Sequence, residues 1–206
     1  LKAFLAALAI TASTSANLIN GGFESFPAWG YDFFPGTNPE SGWATTAPDN
    51  LIEVWGDGFL GVPAYEGNSF AELNANYAST LYQVVDNLGD NNQINWHFAH
   101  RGRDGIDTMR LTITDYGFNQ VAGGGDDTIL FQQEFSAGNS AWQVNYGTIT
   151  SIGNKTSFAF EAVNAVGGNT QGNLIDFCGF GTNVVPAPGC LALLSLSVFL
   201  NKGRRL

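Results

Sequence analysis

Apolar and polar residues alternate one for one in short runs along this chain, and Gly, Asn or Asp closes nearly every run. In residues 94–100, Ile94, Trp96, Phe98 and His100 fall on one side and Asn95, His97 and Ala99 on the other. Met109, Leu111 and Ile113 alternate in the same way with Arg110, Thr112 and Thr114. A period of two places successive side chains on opposite faces of an extended strand, whereas a helix needs 3.6. Between these two runs lie residues 101–107 with Gly102 and Gly105, which reads as the turn of a hairpin. Further strands are expected at 51–55, 69–73, 80–85, 128–135, 142–148, 157–163 and 173–180. Nine or so short strands at this spacing predict an all-β fold, an antiparallel β-sandwich of jelly roll form. The Pro-, Gly- and aromatic-rich stretch 23–43 reads as an ordered surface loop. The run Gly123-Gly124-Gly125-Asp126-Asp127 reads as a mobile hairpin tip or a cation loop.

The two ends are patterned differently. Lys2, the apolar run 3–10 and the small residues Ser13-Thr14-Ser15-Ala16 follow the order of a secretory signal peptide, with cleavage expected after Ala16. At the other end, Val185-Pro186-Ala187-Pro188-Gly189 leads into the apolar run 190–200 and then Lys202, Arg204 and Arg205. Eleven residues fall short of the roughly 20 that span a bilayer, and the run has no polar face with which to dock as an amphipathic helix. Residues 17–183 remain as one domain, long enough for a sizeable core. The chain carries a net charge of -10, but half of its eight basic residues lie in the ends. The domain therefore has four basic and 18 acidic residues, a net of -14. That excludes nucleic acid, whose phosphates need clustered Lys and Arg, and weighs against anionic membrane surfaces. Cys178 is the domain's one cysteine, so it holds no internal disulfide. Its apolar neighbours and the lack of a nearby cation point to a core residue rather than a nucleophile.

Four groups of residues could carry chemistry. Trp29, Tyr31, Phe33, Phe34, Trp43, Trp55, Phe59 and Tyr65 crowd the first third of the chain. Exposed flat rings stack on sugar faces, and Asp49, Glu53, Asn68, Glu72 and Asn74 could bind hydroxyls beside them. Trp43 and Trp55 equally suit the core, whereas Trp29 to Phe34 sit in a loop-like setting, where binding residues concentrate. Glu53, Glu66 and Glu72 could supply a glycosidase pair, which requires carboxyls about 5–9.5 Å apart, though no spacing enforces it. His97 and His100 lie three apart on a strand and face opposite sides, His97 toward solvent; no Cys or third His completes a zinc set. No Gly-x-Ser-x-Gly elbow is present. Arg101, Arg103, Asp104 and Asp107 offer either a fork for a uronic acid or, as the favoured reading, a loop pinned by Arg–Asp pairs with Gly102 and Gly105 at positive φ.

Three resemblances sharpen these expectations. The order of Pro-rich box, short apolar run and Arg-rich end resembles the PEP-CTERM tail of Gram-negative bacteria, with Ala187 where the family usually has Glu. It implies export across the inner membrane to the outer surface or extracellular matrix, transient membrane contact through both termini, and an exosortase-type membrane protease acting at Val185, Pro186, Ala187 and Pro188. The opening Asn17-Leu18-Ile19-Asn20-Gly21-Gly22-Phe23-Glu24, then Gly42-Trp43, and the closing Gly172-Asn173-Leu174-Ile175-Asp176-Phe177 are similar to galactose-binding-like jelly rolls. These include carbohydrate-binding modules of secreted proteins. That resemblance implies a structural Ca²⁺ where the first and last strands meet, with Glu24 and Asp176 at the matching positions. Ile52-Glu53-Val54-Trp55, residues 58–75 and His100-Arg101-Gly102-Arg103 are similar to a module of bacterial exported surface proteins. Together these features predict three parts: a signal peptide 1–16 expected as a helix, the domain 17–183, and a sorting tail 184–206 with a helical apolar run. The predicted function is non-catalytic binding of extracellular polysaccharide, through Trp29, Tyr31, Trp55, Tyr65, Glu53 and Asn68. A structural component of a biofilm matrix is the second reading and a secreted glycoside hydrolase the third.

Overall fold

The computed structural model describes residues 17–36, 41–86 and 88–182. Among them run eleven strands: β1 (Tyr31–Pro35), β2 (Ala44–Thr45), β3 (Leu51–Gly56), β4 (Ser69–Glu72), β5 (Thr80–Val85), β6 (Gln93–Arg101), β7 (Asp107–Asp115), β8 (Thr128–Ala137), β9 (Gln143–Thr150), β10 (Thr156–Asn164) and β11 (Leu174–Gly181). They form a six-stranded sheet in the order β1-β3-β4-β11-β6-β9 and a five-stranded sheet in the order β2-β5-β10-β7-β8. Every pairing is antiparallel. The expected terminal helices and the sorting motif lie outside the described residues.

The core follows from the alternation. Ile52 and Val54, Ala71 and Leu73, and Ile94, Trp96 and Phe98 line the inner face of the six-stranded sheet. Leu81 and Val85, Met109, Leu111 and Ile113, and Phe158 and Phe160 answer them from the five-stranded sheet. All are at most 4 % exposed, and burying each large side chain stabilises the fold by about 1.5–3 kcal/mol. Phe98 meets Phe160 edge-on at 5.2 Å, and Phe158 stacks with Phe180 at 5.0 Å, so aromatic pairs join the two layers.

Three sequence expectations are corrected here. The runs 94–100 and 109–115 do not form a hairpin: β6 pairs with β9 and β11, whereas β7 pairs with β8 and β10. Each strand has one apolar face, and the pair buries both by packing face to face across the core instead of edge to edge. Residues 102–106 are thus a crossing between sheets. Gly102 and Gly105 are not among the residues at positive φ; Gly102 is required because a Cβ there would overlap the carbonyl oxygens of Gly105 and Ala137. The described residues of the stretch 23–43 do not form a surface loop, because they include β1 and bury Phe23, Phe26 and Trp43 to 1 % exposure or less.

The N-terminal segment extends the six-stranded sheet. β4 pairs with β11 only at Leu174 and Ile175. Beyond that point Asn17 bridges Gly181, the Leu18 N–H donates to Phe180 O at 3.0 Å, and the Cys178 N–H donates to Gly21 O at 2.9 Å. A bulge between Asp176 and Gly179 interrupts the ladder with β6. Phe177 takes φ 52° there, and its ring stacks on His97 at 4.1 Å. His97, expected to face solvent, is consequently only 7 % exposed.

Candidate binding face

Residues between the inward-facing ones point from the outer face of the six-stranded sheet. Tyr31 and Phe33 of β1 stand opposite Trp55 and Glu53 of β3, and Glu53 stands opposite Glu72 of β4. With Phe70 and Leu174 they make a second, aromatic-rich layer. Such a face would be wet in an isolated sheet. Here residues 57–68, which join β3 to β4, fold over its middle and pack Phe59, Val62 and Ala64 onto Trp55, Phe70 and Leu174.

Side chains fasten this connection at several points. The indole N–H of Trp142 donates to Pro63 O at 2.8 Å. Asp176 Oδ2 accepts the N–H groups of Tyr65 and Glu66 at 2.9 and 3.1 Å. Glu24 Oε1 accepts those of Asn68 and Ser69 at 2.8 and 2.9 Å, and Asp57 Oδ1 accepts that of Ala64 at 2.9 Å. Glu24 and Asp176, expected as calcium ligands, thus both hold the 65–69 backbone.

Glu53 and Glu72 present a like-charge pair directly across two strands, which is unfavourable. Burial, reinforced by Glu53, raises the Glu72 carboxyl to about 7, against the pull of the Gly172 N–H and of Arg103. Glu53 is raised as well, by burial, with the Trp55 indole and Arg103 opposing. Arg103 answers the pair: its Nη1 lies 3.0 Å from both oxygens of Glu72. The loop carrying Arg103 is pinned by Asp107, whose Oδ2 accepts the Arg103 and Asn173 N–H groups at 2.8 and 3.1 Å. A fork for a uronic acid is therefore closed on Glu72. Glu72, with its side chain fully buried, cannot reach a substrate, and Glu66 stands apart on the 57–68 connection.

Two clefts flank the covered region. One, of about 340 Å³, is lined by Tyr31, Phe33, Glu53, Trp55, Phe59, Leu60, Asn76, Arg103 and Thr170. Tyr31 is 52 % exposed, and its ring is supported by Phe59 at 5.4 Å and by Phe33 edge-on at 5.9 Å. The other, of about 440 Å³, is lined by Glu24, Pro27, Ala28, Trp29, Asp57, Asn68 and Ser69, with Trp29 99 % exposed. Stretches 28–33 and 55–60 contribute to both.

The six ligand-binding residues read from the sequence therefore separate. Tyr31, Trp55 and Glu53 share the first cleft, and Trp29 and Asn68 share the second. Tyr65 belongs to neither and packs on Phe177 at 5.2 Å and Trp142 at 6.4 Å. Trp55 offers no open ring face: it is 1 % exposed, with Phe59 edge-on at 4.8 Å and the Arg103 guanidinium 4.7 Å from its centroid. Its indole N–H donates to Glu53 Oε1 at 2.8 Å. Leu60, Asn76 and Thr170 were not signalled by the sequence, because they lie in irregular connections where alternation carries no information.

Two basic residues elsewhere are paired within the fold. Arg110 bridges Glu134 and Glu161 at 2.7 and 2.8 Å, and Lys155 lies 3.8 Å from Asp86. His100 is buried and meets Asn173 Oδ1 at 3.0 Å, and burial pushes it down to about 4. Cys178 is buried, and burial pushes its thiol well above the usual range. Among the described residues no group of three or more His, Cys, Asp or Glu gathers tightly enough to define a metal centre by itself. Acids do adjoin one another beneath the 65–69 backbone: burial and then Glu24 raise Glu66, and Asp176 is raised to about 7 by burial, with Glu66 adding to it.

No protein-family model matches the chain, and no curated protein matches its sequence. The two antiparallel sheets define it as an all-β sandwich, and similar strand arrangements occur in solved carbohydrate-binding modules. A xylan-binding domain from CBM 22 is 15 % identical with a TM-score of 0.47, over 77 % of this chain and 100 % of that one. The C-terminal family 22 module of Clostridium thermocellum Xyn10B is 16 % identical with a TM-score of 0.49, over 77 % and 97 %. The N-terminal cellulose-binding domain of Cellulomonas fimi β-1,4-glucanase C is 11 % identical with a TM-score of 0.42, over 75 % and 92 %. At these values the likeness is one of general shape. Among the described residues no helix is long and apolar enough to cross a membrane.

Proposed function

We propose that this domain binds an uncharged polysaccharide along the outer face of its six-stranded sheet, without turning it over. The observation that carries this reading is the half-exposed ring of Tyr31, held in place by Phe33 and Phe59 beside Glu53, Asn76 and Thr170 in one cleft. A supported ring face stacks on a pyranose, and carboxylate and amide oxygens accept its hydroxyls. Trp29, Asp57 and Asn68 extend the same chemistry into the neighbouring cleft. The ligand is uncharged because Arg103 is engaged with Glu72 and the other charged residues lining the two clefts, Glu53, Glu24 and Asp57, are acids. Retardation in native gels cast with soluble xylan, hydroxyethylcellulose or dextran, with alginate as the acidic control, tests this. Retardation by a neutral polymer that is weakened in Tyr31→Ala supports it; equal migration in every gel rejects it.

A structural Ca²⁺ ion at Glu24 and Asp176 belongs to the same proposal. The donor set fits a hard cation: Glu24 and Asp176 converge on the 65–69 backbone on either side of Glu66, and no basic side chain among the described residues pairs with them. Export to the surface or matrix of a Gram-negative bacterium, with exosortase-type processing of the tail, also belongs to it. That part rests on the sequences of the two ends alone.

A further inference from the structure

Phe118 is 99 % exposed, an exposure matched among the described large apolar residues only by Trp29. It lies in residues 116–127, which join β7 to β8. The loop backbone is firmly tied. Asp126 Oδ2 accepts the N–H groups of Phe118 and Asn119 at 2.8 and 3.1 Å. Asn119 Oδ1 accepts the Val121 N–H at 2.7 Å, and Asp127 Oδ2 accepts the Gly123 N–H at 2.6 Å. Asp115 Oδ1 accepts the Gly117 N–H at 2.9 Å. Gly117 has φ 62°, and a Cβ there would overlap Asp126. The carboxylates of the expected cation loop are thus spent on its own backbone, and their effect is to hold the Phe118 ring out in water.

The ring borders a cleft of about 470 Å³ lined also by Asp90, Gln120, Ile152 and Asn154. An open ring beside carboxylates and amides is the composition found at Trp29, with Asp57 and Asn68. Among the described residues no basic side chain lines either cleft. The two lie on opposite margins of the sandwich. Trp29 leads into β1, one outer strand of the six-stranded sheet, whereas Phe118 precedes β8, which lies against β9, the other outer strand. Five strand spacings of about 4.8 Å separate β1 from β9, or ~24 Å. We propose that the Phe118 cleft is a second site for uncharged polysaccharide, so that one domain cross-links two glycan chains. The proposal rests on the polysaccharide reading above.

The test uses soluble xylan and hydroxyethylcellulose as probes, with two readouts: gel retardation, and light scattering of dilute polymer as protein is added. The wild-type protein should be retarded and should raise the scattering by bridging polymer chains. Phe118→Ala and Trp29→Ala/Tyr31→Ala should each remain retarded but fail to bridge. Their avidity should fall at least tenfold, since attachment at two sites multiplies affinity by roughly 10²–10⁴. The triple variant should not be retarded. Folding is not at stake at Phe118, whose ring touches solvent throughout. Bridging and retardation unchanged in Phe118→Ala would overturn this proposal, and so would loss of all retardation in Trp29→Ala/Tyr31→Ala; both leave the polysaccharide reading intact. A wild-type dimer that dissociates in Phe118→Ala would overturn it too, because bridging would then come from protein contacts. Wild-type protein retarded by neither polymer would overturn both readings.

Discussion

The Arg103 guanidinium lies 4.7 Å from the ring centroid of Trp55 while its Nη1 sits 3.0 Å from both carboxylate oxygens of Glu72. One side chain thus roofs the aromatic layer and offsets a buried pair of acids. Removing one partner of a buried ion pair leaves an uncompensated charge and typically costs about 3–5 kcal/mol. Arg103→Met should therefore destabilise strongly at pH 8. The loss should shrink at pH 5, where Glu72 takes up a proton. Denaturant melts at both pH values check this, and Glu72→Gln/Arg103→Met should recover much of the stability.

Stability should rise as pH falls from 8 to 6.5. Glu72 and Asp176 are both raised to about 7 in the fold, so the folded state binds their protons more tightly than the unfolded chain. Their contribution is full below the unfolded carboxyl value and is lost as pH rises through about 7. The limiting slope is about 1.4 kcal/mol per pH unit for each group. The histidines act in the opposite sense: His97 is lowered, and His100 lies at about 4. Their contribution is full above the unfolded value of 6.5 and is lost at lower pH, for His100 as pH falls through about 4. Thermal melts of the wild type and of Glu72→Gln/Asp176→Asn test this; a slope between pH 8 and 6.5 that survives the double substitution contradicts the assignment.

Calcium should raise the melting temperature at pH 8 and flatten the part of the pH dependence that comes from Asp176, because a bound cation favours the ionised carboxylate. Melts with added calcium and with a chelator measure this. Superimposable curves in the two conditions reject the ion.

Trp29→Ala should leave the melting temperature unchanged, since the ring is 99 % exposed. Its affinity for a retarding polysaccharide should fall by about 1–3 kcal/mol, in the range for truncating a dominant contact residue. Calorimetry on the variant checks this; unchanged affinity would favour the matrix-component reading.

Alternation along the chain was enough to place most strands and to say which side chains share a face. Thr80–Val85 was read with its observed bounds, and Ile94, Trp96 and Phe98 were read as one row. Strand pairing was not legible, and β6 and β7 show why. Period two fixes the two faces of a strand, but whether its neighbour in sequence lies beside it or across the core depends on contacts with β9, β10 and β11, far along the chain. The site divides in the same way. Trp29, Tyr31, Glu53 and Trp55 stood out by residue type and surroundings. That Tyr31 keeps an open face while Trp55 is covered was decided only when residues 57–68 folded over the sheet and Arg103 closed on Glu72. A face is apolar or polar by local sequence. It is open or covered only by what the rest of the chain packs against it.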